Sequence, residues 1–463
     1  MTEMELETSF AEDESEDVPN TASVEAAVVS PAPASKAVTC TPELLKMYYS
    51  RLFPFSLLYD WLSYGSNTSV FSKREFSFTI EPVPDEEIYI RYQSFTTQEE
   101  LAQAIVKRCP KKIDIGAVFS HSPKEKDTLQ AGQLKPELRE LVFDVDLTDY
   151  DGVRKCGCTG AQICRVCWGF MPMAVKVMDQ ALREDFGFEH IAWFYSGRRG
   201  VHAWVCDEVA KSLTDEARHA IAGYFEVNLG SENNKEVQLA HPLHPMLARA
   251  YELLEPMFID QVLPASGHGL LATPENCQAF LDELPEAAAP VREKLLPHWT
   301  TPAKFNNTTP AEKWESIKEH LSAFLSAKKG VAKAAKNMST KERNRLENWP
   351  VEMVFRHGYP RLDVNVSKAR NHLLKSPFCV HPKTGRVCVP IVNVDSFNPF
   401  TVPTLPKLEQ ELIKLDASAD WKQTSLKDYF EGFENTFLNP LMKEIRRKQR
   451  DAAEQKAAII GDF

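Results

Sequence analysis

Leu141-Val142-Phe143-Asp144-Val145-Asp146-Leu147 sets two carboxylates into an otherwise apolar run. Residues i and i+2 of a strand share a face. Asp144 and Asp146 therefore point one way, while Phe143, Val145 and Leu147 point the other. Two like charges held side by side are unfavourable unless a cation neutralises them. Hard divalent ions such as Mg²⁺ prefer such oxygen ligands. The plainer alternative is a strand end carrying two solvated acids.

Working outward, Glu75-Phe76-Ser77-Phe78-Thr79-Ile80 and Ile88-Tyr89-Ile90-Arg91-Tyr92-Gln93 alternate apolar and polar residues across a proline-bearing turn. They read as an antiparallel pair with Glu75 and Arg91 on solvated faces. Ile113–Val118 is a further short strand, and Ile191–Tyr195 and Val201–Val205 flank the tight turn Ser196-Gly197-Arg198-Arg199-Gly200. Strand signals return at Arg361–Val366, Phe378–Val380 and Val387–Pro390. Between these β-rich parts, residues 207–348 lose alternation and take on helical patterning. Helices are also expected from Pro42, with Thr41 as N-cap, over 98–108, and over Pro172–Phe186 with Gly187 as terminator. The expected fold is α/β in the mixed α+β sense, with a mixed β-sheet. Its layout is an acidic disordered extension (1–38), a core in two parts (39–206 and 349–440), a helical subdomain between them (207–348) and a charged C-terminal helix (441–463).

Composition bounds the function. The 463 residues are 43% hydrophobic and 10% aromatic, which excludes whole-chain disorder, collagen and coiled coil. No apolar run of about 18 residues occurs, so no spanning helix and no membrane partner are expected. The first residues are acidic rather than basic then apolar, so no secretory leader is expected. Of the net charge of −11, the first 36 residues contribute −8, leaving a near-neutral body that can still carry basic clefts. Lys328–Arg345 holds seven bases against one acid, a solvated helix face or a nucleic-acid contact.

Four constellations carry chemistry. Asp363 in Leu362-Asp363-Val364-Asn365-Val366 offers a third carboxylate from a distant strand, and with Asp144 and Asp146 it would complete a two-metal site for phosphoryl transfer. Ser196-Gly197-Arg198-Arg199-Gly200-Val201-His202 combines a sharp turn with donors suited to phosphate oxygens; the alternative is an exposed hairpin tip. In Asn371–Pro377, His372 and Lys375 are three apart and share a face if that turn is helical. Lys375 and His381 are placed to flank a triphosphate. Cys156-x-Cys158-x₅-Cys164-x₂-Cys167 has the spacing of a closed, structural, tetrahedral Zn²⁺ site.

Taken together, these phrases resemble the small catalytic subunit of eukaryotic DNA primases, within the archaeo-eukaryotic primase superfamily. The resemblance runs from about Leu44 to Pro403, and Ser196–His202 with Asn371–Pro382 are its most specific parts. It implies a template-directed RNA polymerase that starts chains without a primer. It also implies that Asp144, Asp146 and Asp363 bind Mg²⁺ or Mn²⁺. Ser196, Arg198, Arg199 and His202 match the family's nucleotide-phosphate turn. Lys375 and His381 match further triphosphate contacts, and His372 lies in the same segment. Glu75, Arg91 and Asp114 occupy motif positions near the nucleotide, with Asp114 placed to accept from a ribose 2′-OH. Implied partners are a large primase subunit carrying the iron–sulfur cluster, the DNA polymerase alpha complex, single-stranded DNA and ribonucleoside triphosphates, in the nucleus. One departure is that Gly157 separates two cysteines that are adjacent in animal relatives. Rival readings are a primase–polymerase acting on damaged DNA, a metal-dependent nuclease, and a non-catalytic zinc-containing nucleic-acid-binding protein.

Overall fold

Eight strands form two sheets in the computed structural model, which describes residues 40–83, 85–230, 237, 239–326 and 338–461. The strands are β1 (Arg74–Val83), β2 (Glu86–Gln93), β3 (Lys112–Phe119), β4 (Pro136–Leu138), β5 (Leu141–Asp146), β6 (Ile191–Tyr195), β7 (Gly200–Val205) and β8 (Leu374–Lys375). The first sheet runs β2-β1-β3-β4, with β8 also on β3; the second runs β5-β7-β6. Every named pair is antiparallel, where a mixed sheet was expected. The expected acidic extension lies outside the described residues, as do residues 328–337 of the basic stretch.

β7 is buried along its whole length between β5 and β6. Its run Val201, Ala203 and Val205 with Trp204 and His202 reads as a strand covered on both faces. Beyond β6 the chain adds a further rung: Tyr195 N donates to Val389 O at 2.9 Å and Ile391 N to Trp193 O at 2.8 Å. The strands expected at 378–380 and 387–390 thus survive as a short hairpin of isolated bridges rather than as a full ladder.

Helices pin the sheets. The helix Pro42–Arg51 starts where Thr41 Oγ1 accepts from Leu44 N at 3.3 Å, an N-cap of the ordinary kind. Its buried Tyr48 and Tyr49 donate to Phe378 O (2.6 Å) and Pro110 O (2.9 Å). Trp61 is fully buried among Phe194, Trp204, Phe433 and Phe437, with ring centroids 5.4–5.8 Å away. That cluster joins an N-terminal helix, the second sheet and the C-terminal helices in one core. The helix Phe170–Glu184 buries nine residues and ends as expected: Gly187, at φ +69°, lets Phe188 N reach Leu182 O at 3.1 Å. From Glu208 to Gly358 the named elements among the described residues are all helical. The charged C-terminal helix is present as Asn439–Gly461.

The two sheets are tied by a buried ion pair. Arg74 of β1 meets Glu140, just before β5, through two bonds of 2.8 Å, and both side chains are fully buried. Tyr64 and Arg139 also donate to Glu140. Burial alone would push this carboxyl up, but the Arg74 and Arg139 guanidinium groups outweigh it and hold it well below the usual range.

A candidate nucleotidyl-transfer site at the edge of the second sheet

β5 carries Asp144 and Asp146 on one face, and its register with β7 sets His202 opposite Asp144 and Gly200 opposite Asp146. His202 Nε2 lies 3.4 Å from Asp144 Oδ1. Asp146 accepts from Arg199 Nε at 2.7 Å and from Thr148 N and Oγ1 at 2.8 and 2.7 Å.

Asp363 reaches this edge by a route its alternating neighbours conceal. Arg361–Val366 is not a strand: Asp363 is the N-cap of a short helix, Val364–Lys368, and accepts from Asn365 N at 3.1 Å. A capping aspartate offers the backbone a partner that no flanking strand supplies here. The segment is nonetheless docked on β5: Asp363 N donates to Asp144 O at 3.1 Å and Ser367 Oγ to Val142 O at 2.6 Å. Arg361 fixes its approach, donating through its backbone N to Tyr150 Oη (3.0 Å) and through Nη1 to Asp149 O (3.1 Å). So three carboxylates from distant sequence share one edge.

Electrostatics record their proximity. Burial, then the charges of Asp146 and Asp363, push Asp144 up to about 7. Asp149, unremarked in the sequence, joins them: partial burial and the neighbouring Asp146 and Asp144 raise it to about 6. The acidic run Asp144–Asp151 was the available signal. An edge whose carboxylates resist ionising together has the donor chemistry for a divalent cation. Among the described residues, though, their oxygens do not all close within 4.8 Å of one another; Arg199 holds Asp146.

The turn Ser196–Gly200 sits beside them. Gly197 has φ +84°, and an added Cβ would lie 2.7 Å from His381 Cβ; the turn requires glycine. Gly200 N donates to Ser196 Oγ at 3.0 Å, and Tyr195 Oη to Arg198 O at 2.9 Å. Lys375 is not on a helix with His372. It lies on β8, paired with Asp114 of β3, while His372 precedes it in a turn. From there Lys375 Nζ crosses to Ser196 O at 2.7 Å, and Thr384 Oγ1 donates to Gly197 O at 2.7 Å. Burial works against the Lys375 ammonium, but Cys388 and Cys379 outweigh it and raise its pKa. The histidines behave oppositely. Burial and Lys375 push His202 down to about 3, and burial, Lys375 and Arg198 push His381 down to about 2. Both are neutral at pH 7, so they offer hydrogen bonds rather than charge. His372 is also lowered, by burial and by Arg139.

Glu75 is not on a solvated face. It is fully buried and accepts from Arg91 Nε (3.0 Å), Arg91 Nη2 (3.1 Å) and Tyr92 N (3.2 Å). It therefore orients Arg91, whose side chain keeps 34% of its surface exposed. Asp114 accepts from Ser77 Oγ at 3.0 Å, and burial raises its pKa.

The four cysteines form a separate centre downstream of β5. The Sγ atoms of Cys156, Cys158, Cys164 and Cys167 all lie within 4.8 Å of one another. Tetrahedral Zn²⁺ with bonds of about 2.3 Å needs such spacing, so the donor set fits zinc. Trp168 is core: it packs on Tyr195 and Phe397 at 5.6 and 5.9 Å.

Comparison with known sequences points to one family. The family model described as DNA primase small subunit matches residues 143–392, a span holding the three aspartates, the turn, Lys375 and His381. The Drosophila melanogaster DNA primase small subunit is 39% identical over 434 residues, 89% of this chain and 93% of that protein. Its Schizosaccharomyces pombe counterpart is 41% identical, covering 80% and 78%, and that of Saccharomyces cerevisiae 34% identical, covering 88% and 94%. Similarity also reaches an archaeal small subunit, from Methanobrevibacter smithii, at 23% identity over 73% of this chain. With more than half of its length matched by the family model and most of it by these relatives, the chain belongs to the DNA primase small subunit family.

Proposed function

We propose that this chain synthesises short RNA primers de novo on single-stranded DNA, by nucleotidyl transfer that releases pyrophosphate. Its family makes it an enzyme, a DNA primase. The observation that carries the chemical reading is the meeting of Asp144, Asp146 and Asp363 with the Ser196–His202 turn, Lys375 and His381.

Asp144, Asp146 and Asp363 would hold the divalent ions, Mg²⁺ or Mn²⁺, and the upward push on Asp144 is the mark of carboxylates short of a counter-charge. When bound, such ions stabilise the attacking and leaving oxygens of the displacement. The protein's own part is positioning and neutralisation, as phosphoryl transfer requires. Arg198, Arg199 and Lys375 supply positive charge to the triphosphate. His202 and His381, neutral in the free protein, donate hydrogen bonds to it. Arg91, held by Glu75, and Asp114 frame the nucleotide, with Asp114 accepting from the ribose 2′-OH and His372 beside them.

Cys156, Cys158, Cys164 and Cys167 hold structural zinc on this reading. The core is built from 39–206 and 349–440, with 207–348 as a helical subdomain. The chain acts in the nucleus as a heterodimer with a large primase subunit, in assembly with the DNA polymerase alpha complex.

The test uses the purified chain, a single-stranded pyrimidine template, labelled ATP and Mg²⁺ or Mn²⁺, with Asp144→Asn/Asp146→Asn alongside. Short RNA made by wild type alone supports the reading. Failure to extend even a supplied RNA primer, with the large subunit added, overturns it in favour of a binding protein.

A further inference from the structure

Two cysteines that the proposed chemistry does not use lie directly beneath the phosphate turn. Cys379 and Cys388 stand on facing arms of the 378–388 hairpin, joined where Cys388 N donates to Cys379 O and Phe378 N to Cys388 O, both at 2.8 Å. Their sulfurs are 3.8 Å apart. Cys388 Sγ also lies 3.2 Å from Ser196 O, the carbonyl that receives the Lys375 ammonium. The packing leaves no slack: a Cβ on Gly197 would come within 3.1 Å of Cys388 Sγ. The two thiols, Lys375 and the turn backbone thus form one contact cluster.

We propose that Cys379 and Cys388 are a peroxide-sensitive dithiol, and that closing it to a disulfide disables the nucleotide-phosphate turn. The consequence for nucleotide rests on the function proposed above; the thiol chemistry does not. Burial selects the oxidant. Cys379 is wholly buried and Cys388 is 2% exposed, so protein disulfides are excluded, whereas small reagents such as hydrogen peroxide and dithiothreitol have only to pass a local opening. Burial pushes the Cys388 thiol up, but the bond from Cys379 and the charge of Lys375 bring it down to about 7. Cys379 is pushed well up, by burial first. The pair is thereby divided into an attacking thiolate and a resolving thiol.

The Cys388 thiolate attacks one peroxide oxygen. The S–O bond forms, the O–O bond breaks, and the departing hydroxide takes up the proton Cys388 had lost, leaving as water. The sulfur becomes a sulfenic acid, oxidised by two electrons. Cys379 sulfur then attacks it, the S–S bond forms, the S–O bond breaks, and hydroxide leaves with the Cys379 proton as a second water. A disulfide needs sulfurs at about 2.0 Å, well inside the present 3.8 Å. Closure therefore draws Cys388 sulfur off Ser196 O and removes the contact that helps hold Lys375 against the turn.

The experiment treats the reduced full chain with hydrogen peroxide, maps its peptides by mass, and titrates ATP before oxidation, after it, and after dithiothreitol. Expected are a Cys379–Cys388 cross-link that dithiothreitol reverses and an affinity about tenfold weaker in the oxidised form. Cys379→Ser, unable to close the bond, should keep its affinity under the same treatment. The proposal is overturned if the two thiols stay uncrosslinked while other cysteines oxidise, if the disulfide forms with affinity unchanged, or if Cys379→Ser weakens as much as wild type. Reduced wild type that binds no ATP would instead sink the primase reading, and the cross-link map would still decide the thiol chemistry.

Discussion

Replacing Asp144 by Asn should make the metal-free protein more stable while abolishing its chemistry. The magnitude follows from the crowding of the carboxylates. Asp144 is pushed from 3.8 to about 7, by burial first and then by Asp146 and Asp363. Its folded-state value is raised, so native stability is lost as pH rises from about 4 through 7. By linkage, the raised value costs about 4 kcal/mol at pH 8, where the group is ionised in the fold, and about 2 kcal/mol at pH 5, where the fold holds it protonated while the unfolded chain ionises it. Water reaches the group, since 28% of its side-chain surface is exposed, and screening discounts these figures by about half. Asparagine carries no charge and avoids the penalty. Urea unfolding without added Mg²⁺ or Mn²⁺, a condition that leaves thiolate-bound zinc in place, should show Asp144→Asn more stable by about 2 kcal/mol at pH 8 and about 1 kcal/mol at pH 5. A variant no more stable than wild type at pH 8, or one whose advantage is the same at both pH values, would refute the argument that this edge lacks a counter-charge.

Three further substitutions probe other parts. Asp363→Ala should lower primer synthesis by at least about a hundredfold while leaving the circular dichroism spectrum unchanged; near-normal product yield would remove Asp363 from the metal set. Trp61→Ala should destabilise the chain by about 3–5 kcal/mol in urea, because the cavity opens among four aromatic rings. Cys164→Ser should lose bound zinc by elemental analysis and lower the melting temperature; full zinc retention would break the four-thiolate assignment.

Legibility in the sequence followed how local each feature's cause is. The Asp144–Asp146 face, the Ser196–Gly200 turn and the Thr41 cap were readable because period, glycine and cap chemistry act within a few residues. The short helix after Asp363 was misread as a strand. Leu362, Val364 and Val366 alternate, but the tertiary contact with β5 and the cap set the backbone. The same limit hid Glu75: an alternating strand marks it as solvated, yet Arg91 from the next strand neutralises it and allows full burial. The strand position of Lys375 is not legible, and its helical alternative stays open in the sequence, because a two-residue strand has no periodicity to detect. The charge of the histidines was illegible altogether, since it depends first on their burial and then on Lys375 and Arg198 arriving from elsewhere in the fold.

Those cations explain how opposite charges can sit this close without collapsing onto one another. The acidic edge is short of positive charge, as Asp144 records. The turn is short of negative charge: Arg198 is lowered by burial and then by Arg199, and two histidines stay neutral beside Lys375. Direct pairing would cancel both deficits and leave nothing for a substrate. The backbone limits it to one pair. Lys375 is engaged by the Ser196 carbonyl rather than by a carboxylate, and Arg199 to Asp146, at 2.7 Å, is the close ion pair from the turn to the three aspartates among the described residues. A ribonucleoside triphosphate arriving with divalent cations carries both missing charges at once, whereas either alone satisfies one cluster and leaves the other exposed. On the proposed reading, the fold leaves these opposite clusters paired only through Arg199 and Asp146, so that most of the binding energy is released when metal and triphosphate are in place together.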